Sequence, residues 1–297
     1  METLKAEKPS RWRYGTSLAL SAVLIAGCTS PAKQGSETPA APAGGANSPA
    51  TGHIPGEPGM RTVKQRSLQE FAGAPVPKDW VEAVRDSTVK LIGRGSQCSG
   101  FIINQLVITA GHCLTGEGDG PIKIYRSNDQ EVGELASWKY YNTLNKTVND
   151  GQYDVGIARP RADIPGAYLV RDEIPHNKLQ PGETFTTTGY PGGIKAPLTG
   201  TVVYMGPASA SQNYFVLNTG QSRDMQNNFC EGGMSGSPVV GPRSGDIGVL
   251  DWRAQDPQGL IEDLSQQQNV DLSAAGVDRV CGVTMLTTAM FNELTAG

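Results

Sequence analysis

From residue 88 onward, short apolar and β-branched runs recur between turn-forming residues. They fall at 88–92, 100–103, 106–109, 184–188, 200–204, 214–217, 238–240 and 247–250, with one more behind Asp154. Runs of three to five residues suit strands, and even spacing over this length suits antiparallel barrels or a sandwich. Helical patterning is confined to 78–84, after Pro77, and to a C-terminal stretch at 287–294. No internal repeat of solenoid period is present. The 37 glycines and 20 prolines fit an all-β chain with many turns.

The pattern before residue 88 is of another kind. Lys5, Lys8, Arg11 and Arg13 precede an uncharged apolar run at 18–26, too short to cross a bilayer as a helix, which is the layout of an export signal. It ends in Leu24-Ile25-Ala26-Gly27-Cys28 and resembles the bacterial lipobox, in which the cysteine is lipidated and becomes the new N-terminus. Residues 1–27 are therefore expected to form a lipoprotein signal, and Cys28 to carry acyl chains. Each buried methylene adds about 0.8 kcal/mol of membrane affinity. The chain is then exported and tethered to a bacterial membrane, with the remainder outside the cytoplasm. Residues 28–69 are expected to be a disordered tether whose end also reads as a candidate propeptide, since Pro, Ala, Gly, Ser and Thr dominate it up to about residue 60 and offer little to bury. A folded body follows, 70–175 and 176–297. Removing the leader changes the balance of 25 basic and 29 acidic residues to 21 and 27. A mildly acidic chain without basic clusters argues against nucleic acid as a partner.

Candidate chemistry lies in three segments. In Leu106-Val-Ile-Thr-Ala-Gly-His112-Cys113 a histidine ends an apolar strand, where its ring can be held as a general base. Cys98 lies 15 residues before Cys113 with a strand, a turn and a strand between, the span that brings two cysteines together across a hairpin. In an exported chain that pair is expected to be oxidised. Asp154 heads a short apolar strand and can orient an imidazole through Nδ1; Asp150, between Asn149 and Gly151, is a second candidate. The most specific segment is Cys230-Glu-Gly-Gly-Met-Ser235-Gly-Ser-Pro238. Its glycines at 232, 233 and 236 allow the tight turn that presents a nucleophilic hydroxyl, with the N–H groups of Gly233 and Ser235 left to bind an oxyanion. The order His, Asp, Ser differs from that of α/β-hydrolases. Neither the cysteines nor the histidines are spaced for zinc, so no metal site and no cofactor is expected.

The His112-Cys113 segment closely resembles the corresponding region of chymotrypsin-like serine proteases, and the apolar residues after Asp154 resemble that family's acid-bearing strand, which favours Asp154 over Asp150. Gly189-Tyr-Pro-Gly192 and Gly233-Met-Ser-Gly-Ser-Pro238 are similar to two signatures of the bacterial glutamyl endopeptidase branch. The resemblance covers residue 88 to the C-terminus. It implies an all-β fold of two antiparallel six-stranded β-barrels with a C-terminal helix, and a triad of His112 and Asp154 from the first barrel and Ser235 from the second, acting on polypeptide substrates. It also implies a second disulfide, Cys230 to Cys281, around the specificity pocket.

Three departures limit the resemblance. Met234 stands where digestive members carry an activating Asp. The strand at 247–250 has no histidine to read a glutamate, so an uncharged pocket involving Leu250 and Thr284 is expected instead. Residues 251–280 form a long polar insertion, read as a lid, an exosite or a surface loop. The expected activity is an extracytoplasmic serine endopeptidase whose rate rises with pH as His112 loses its proton. A catalytically silent binding module on the same fold and an exported esterase are the competing readings.

Overall fold

Six strands of the first half close on themselves. The computed structural model describes residues 13–17 and 65–296, apart from 117, 119, 143–152, 171–177, 209–211, 243–244 and 255. Strand Thr88–Gly93 turns at Arg94 and Gly95, both with positive φ, into Ser96–Ile103. That strand turns at Asn104 and Gln105, again with positive φ, into Leu106–Thr109. Two consecutive residues of positive φ match the right-handed twist of the flanking strands, which explains hairpins this tight. Leu106–Thr109 then pairs with Asp154–Pro160, that strand with Glu131–Asn142, the next with Lys123–Tyr125, and the last with Thr88–Gly93. The barrel is filled by Val89, Leu91, Phe101, Ile103, Ile108, Ile124, Val155 and Ile157, all buried. Gly166–Val170 lies beside it, flanked in turn by the short strand Arg13–Ser17.

The second barrel closes in the order Thr184–Gly189, Leu198–Pro207, Gln212–Leu217, Cys281–Met285, Ile247–Arg253, Pro238–Val240. All its pairings are antiparallel. Its core holds Phe185 edge-on to Phe215, with Tyr204, Met225, Phe229 and Val283 around them. The first core runs on into Val240, Ile247, Val249 and Leu286 of the second barrel, so the two halves meet through packed apolar side chains. The C-terminal helix Thr288–Thr295, capped by the Thr287 hydroxyl, lays Met290, Phe291 and Leu294 against the first core. It straps the end of one barrel to the other, and Arg159 donates to the Thr295 carbonyl at 3.0 Å.

Two regions differ from the sequence expectation. The folded part begins by Gln65 rather than at 70: Arg66–Ser67 is a strand, and Ser67 caps the helical turn Leu68–Phe71 in a capping box with Glu70. The polar insertion has structure of its own. Asp256 caps the helix Pro257–Gln268, which ends at Asn269 in a left-handed conformation before the strand Val270–Asp271. Ile261, Leu264, Val270, Leu272 and Val280 of the insertion pack with Leu68, Val203, Met205 and Val216 in a third apolar cluster. Cys28 and Asp150, and the two histidines other than His112, His53 and His176, lie outside the described residues.

Candidate active site

His112 sits on the single 3-10 turn Gly111–Leu114 at the end of strand Leu106–Thr109. Asp154 begins its strand directly alongside, fully buried, while the His112 side chain is about one-third exposed. The carboxylate grips the histidine twice: Oδ1 accepts the His112 backbone N–H at 2.8 Å, and Oδ2 lies 2.5 Å from Nδ1. A desolvated carboxylate needs such partners, and this pairing favours the tautomer that carries its proton on Nδ1 and leaves the Nε2 lone pair able to accept one. The preceding residue must be glycine. A Cβ at Gly111 would meet the Tyr141 carbonyl oxygen at 2.2 Å and Asp154 Oδ1 at 2.9 Å. Cys113 is joined to Cys98, with their Cα atoms 6.1 Å apart, and braces the turn from the other side. The sulfurs lie within 4.8 Å of a His112 ring nitrogen, but a bridged pair offers no thiolate to a metal.

Ser235 stands on the loop between Cys230 and strand Pro238–Val240, and its carbonyl accepts the Ser99 N–H at 2.8 Å. Because Ser99 follows Cys98, this bond holds the serine's backbone against the disulfide that flanks His112; Cys113 Sγ is 3.9 Å from the same carbonyl. Met234 N–H donates to Glu231 O, Ser237 N–H to Met234 O and Gly236 N–H to Leu250 O, at 2.7 to 2.9 Å. Among the described residues, the N–H groups of Gly233 and Ser235 have no such acceptor. Gly233 and Gly236 have φ of +93° and +86°. A Cβ at Gly236 would lie 2.0 Å from the Ser99 carbonyl oxygen, so this turn admits glycine alone. Met234 is fully buried, so apolar packing and hydrogen bonds hold the loop without an ion pair at that position. Cys230, also at positive φ, is bridged to Cys281.

Sequence reasoning missed the buried Ser99 hydroxyl. It donates to the Gly233 carbonyl at 2.7 Å and accepts the Tyr190 N–H at 2.9 Å, tying the serine loop to the turn at 190–193. Gly192 N–H completes the tie by donating to Gly232 O at 2.7 Å. A serine inside a strand carries no sign of such a role, although its neighbour Cys98 marks the position as one of close approach. Burial pushes the Tyr190 phenol up to about 12.

The two residues expected to line a specificity pocket are placed differently. Leu250 packs into the second core, with its backbone against the serine loop. Thr284 is wholly buried behind the acid: its hydroxyl accepts the Asp154 N–H at 3.3 Å and donates to Asp251 Oδ2 at 2.5 Å. Their strands bind the site from behind, so an open apolar pocket built from these two side chains is not what the fold produces. A groove of about 780 Å³ lies elsewhere, lined by Arg126, Gln130, Tyr190 and Pro197 among others, and none of His112, Asp154 or Ser235 faces it.

Two closed barrels, a histidine–aspartate pair on one and a glycine-framed serine on the other, define the architecture of the chymotrypsin-like serine proteases. The model of the trypsin-like peptidase domain matches residues 98–248, just over half of the chain, and the protein belongs to that family of serine protease hydrolases. No curated protein sequence matches the chain. Among solved structures, it is similar to a Glu endopeptidase in complex with MPD at 15% identity and TM-score 0.46, covering 74% of this chain and 94% of that one. Another is the inactive form of Rv3671c from M. tuberculosis H37Rv, at 17% identity and TM-score 0.47, covering 76% and 94%. Human heparin binding protein is similar at 12% identity and TM-score 0.48, covering 75% and 93%.

Proposed function

We propose that the protein is a lipid-anchored, extracytoplasmic serine endopeptidase with His112, Asp154 and Ser235 as its triad. The observation that carries this reading is the double grip of Asp154 on His112, with Ser235 tied by its own carbonyl to the residue beside the His112 disulfide. Ser235 Oγ attacks the peptide carbonyl as His112 Nε2 takes its proton; Asp154 stabilises the imidazolium that results. The carbonyl oxygen, now anionic, is received by the N–H groups of Gly233 and Ser235. Collapse breaks the C–N bond, and the proton on Nε2 passes to the leaving amine. Water then enters by the same route to release the acyl group, with no cofactor.

The anchor rests on the sequence. Cys28 follows small residues at the end of a short apolar run, and the Pro-, Ala- and Gly-rich stretch behind it gives the reach of a tether. Among the described residues, no helix is long and apolar enough to cross a membrane. An uncharged substrate pocket remains the expectation, without Leu250 and Thr284 as its walls.

The test is cleavage of a mixed peptide library by the protein beside its Ser235→Ala form, with cut sites read by mass spectrometry. Cleavage should fall by about 10³-fold or more in the variant. Equal cleavage by both would refute the assignment, turnover of esters alone would favour the esterase, and silence of both would favour the binding module. Fatty-acid labelling lost in Cys28→Ala tests the anchor.

A further inference from the structure

The N-terminal edge of the folded body is built into the insertion near the serine loop. Arg66–Ser67 pairs in parallel with Val270–Asp271, and the Arg66 N–H donates to the Asn269 carbonyl at 3.0 Å. The Arg66 guanidinium donates to the Gln268 carbonyl at 3.1 Å and stands over the Phe71 ring. Leu68, with no exposed surface, is inserted among Ile261, Leu264, Val270, Leu272 and Val280. Without Leu68 the helix Pro257–Gln268 loses part of the apolar face against which it packs, and a helix of twelve residues is marginal without such packing.

The far end of the insertion holds the serine loop. Arg279 donates to the carbonyls of Asn227 and Phe229 at 2.6 and 3.0 Å and pairs with Glu231 at 3.1 Å. Arg253, on the strand that leads into the insertion, holds the same Glu231 carboxylate at 2.9 Å. Val280 is followed by Cys281, whose bridge ends on Cys230, five residues before Ser235. Covalent and charge-assisted links therefore run from the cluster that receives Leu68 to the loop that carries the serine.

We propose that the insertion is a receptor for the chain's own segment at 65–71, and that seating of this segment sets the geometry of the Ser235 loop. The segment is then a permanent working part, and cleavage upstream of Gln65 leaves activity intact. A distinct role for the insertion as substrate lid is not needed. The inference rests on Ser235 as the nucleophile.

The test uses the full chain carrying Leu68→Asp, at a temperature where circular dichroism shows it folded. Labelling of Ser235 by a fluorophosphonate is expected to slow by about tenfold or more. A synthetic peptide of residues 61–74 added in trans is expected to restore the rate saturably, and the same peptide carrying the Leu68→Asp change to have no effect. Leu68→Ala serves the same comparison if the Asp variant does not fold. A folded variant that labels at the wild-type rate overturns the coupling, and so does a slowed variant that the peptide leaves unrestored. Failure of the wild type itself to label would instead refute the protease reading.

Discussion

Replacing Gly111 by alanine adds one methyl group at the most crowded point beside the histidine. Its Cβ would fall 2.2 Å from the Tyr141 carbonyl oxygen, where ordinary contact begins at 3.4 Å, so strand Glu131–Asn142 or the His112 turn must retreat by about 1 Å. Neither moves freely. Tyr141 is opposite Val155, and Asn142 opposite Asp154, so a shift of that strand carries the acid with it. Asp154 Oδ1, 2.9 Å from the same Cβ, would be pushed from the His112 N–H that it accepts. Gly111 is not at positive φ, so the strain is contact alone. Overpacking of this kind costs about 1–3 kcal/mol of stability, while misplacement of a catalytic pair by 1 Å costs about 10²-fold in rate. The assay is kcat/KM on a peptide taken from the library cleavage, measured beside the thermal midpoint. A folded Gly111→Ala enzyme with wild-type kcat/KM would refute the claim that this contact positions the acid.

Three other outcomes follow from the geometry. Opening the Cys230–Cys281 bridge by paired alanine substitution frees a loop with a sequence separation of 51, which lowers unfolding stability by about 4 kcal/mol in the chain-entropy account; denaturant titration showing a loss under about 1 kcal/mol would contradict it. Thr284→Val removes the hydroxyl that accepts the Asp154 N–H and donates to Asp251, at a cost of about 1–3 kcal/mol in urea unfolding; an unchanged midpoint would show that the bridge contributes nothing. Tyr190 keeps its proton to about pH 12 in the folded protein and to about 10 when unfolded, so its contribution is whole below pH 10 and is lost as pH rises toward 12, roughly 2–3 kcal/mol in all. Ultraviolet titration of the phenols in wild type and Tyr190→Phe checks this, and a phenol missing from the ordinary titration near pH 10 in the variant would refute it.

The candidate site was legible where a few neighbouring residues set the local geometry. The serine loop announces itself because its turn requires glycines at fixed offsets, and the histidine because it closes an apolar strand beside a cysteine. What escaped depends on partners distant in the chain. Thr284 reads as a pocket residue until strand Cys281–Met285 is placed behind Asp154. Strand Glu131–Asn142 mixes charged and apolar positions, and its pairing with neighbouring strands decides its conformation. The helix Pro257–Gln268 offers only Leu260, Ile261 and Leu264 as an apolar face. The pair Asp256-Pro257 was nonetheless a usable start signal, an N-cap followed by proline in the first turn. Leu68, in a largely polar stretch, had no local reason to be buried; its buried partners in the cluster lie 135 to 212 residues away.

Both disulfides end close to the proposed machinery, one on the residue after His112 and the other five residues before Ser235. Their placement ties the shape of both loops to the redox state of the surroundings. In a compartment that keeps thiols reduced, the histidine turn and the serine loop both lack their braces. Oxidation after export would brace both loops of the proposed site at once.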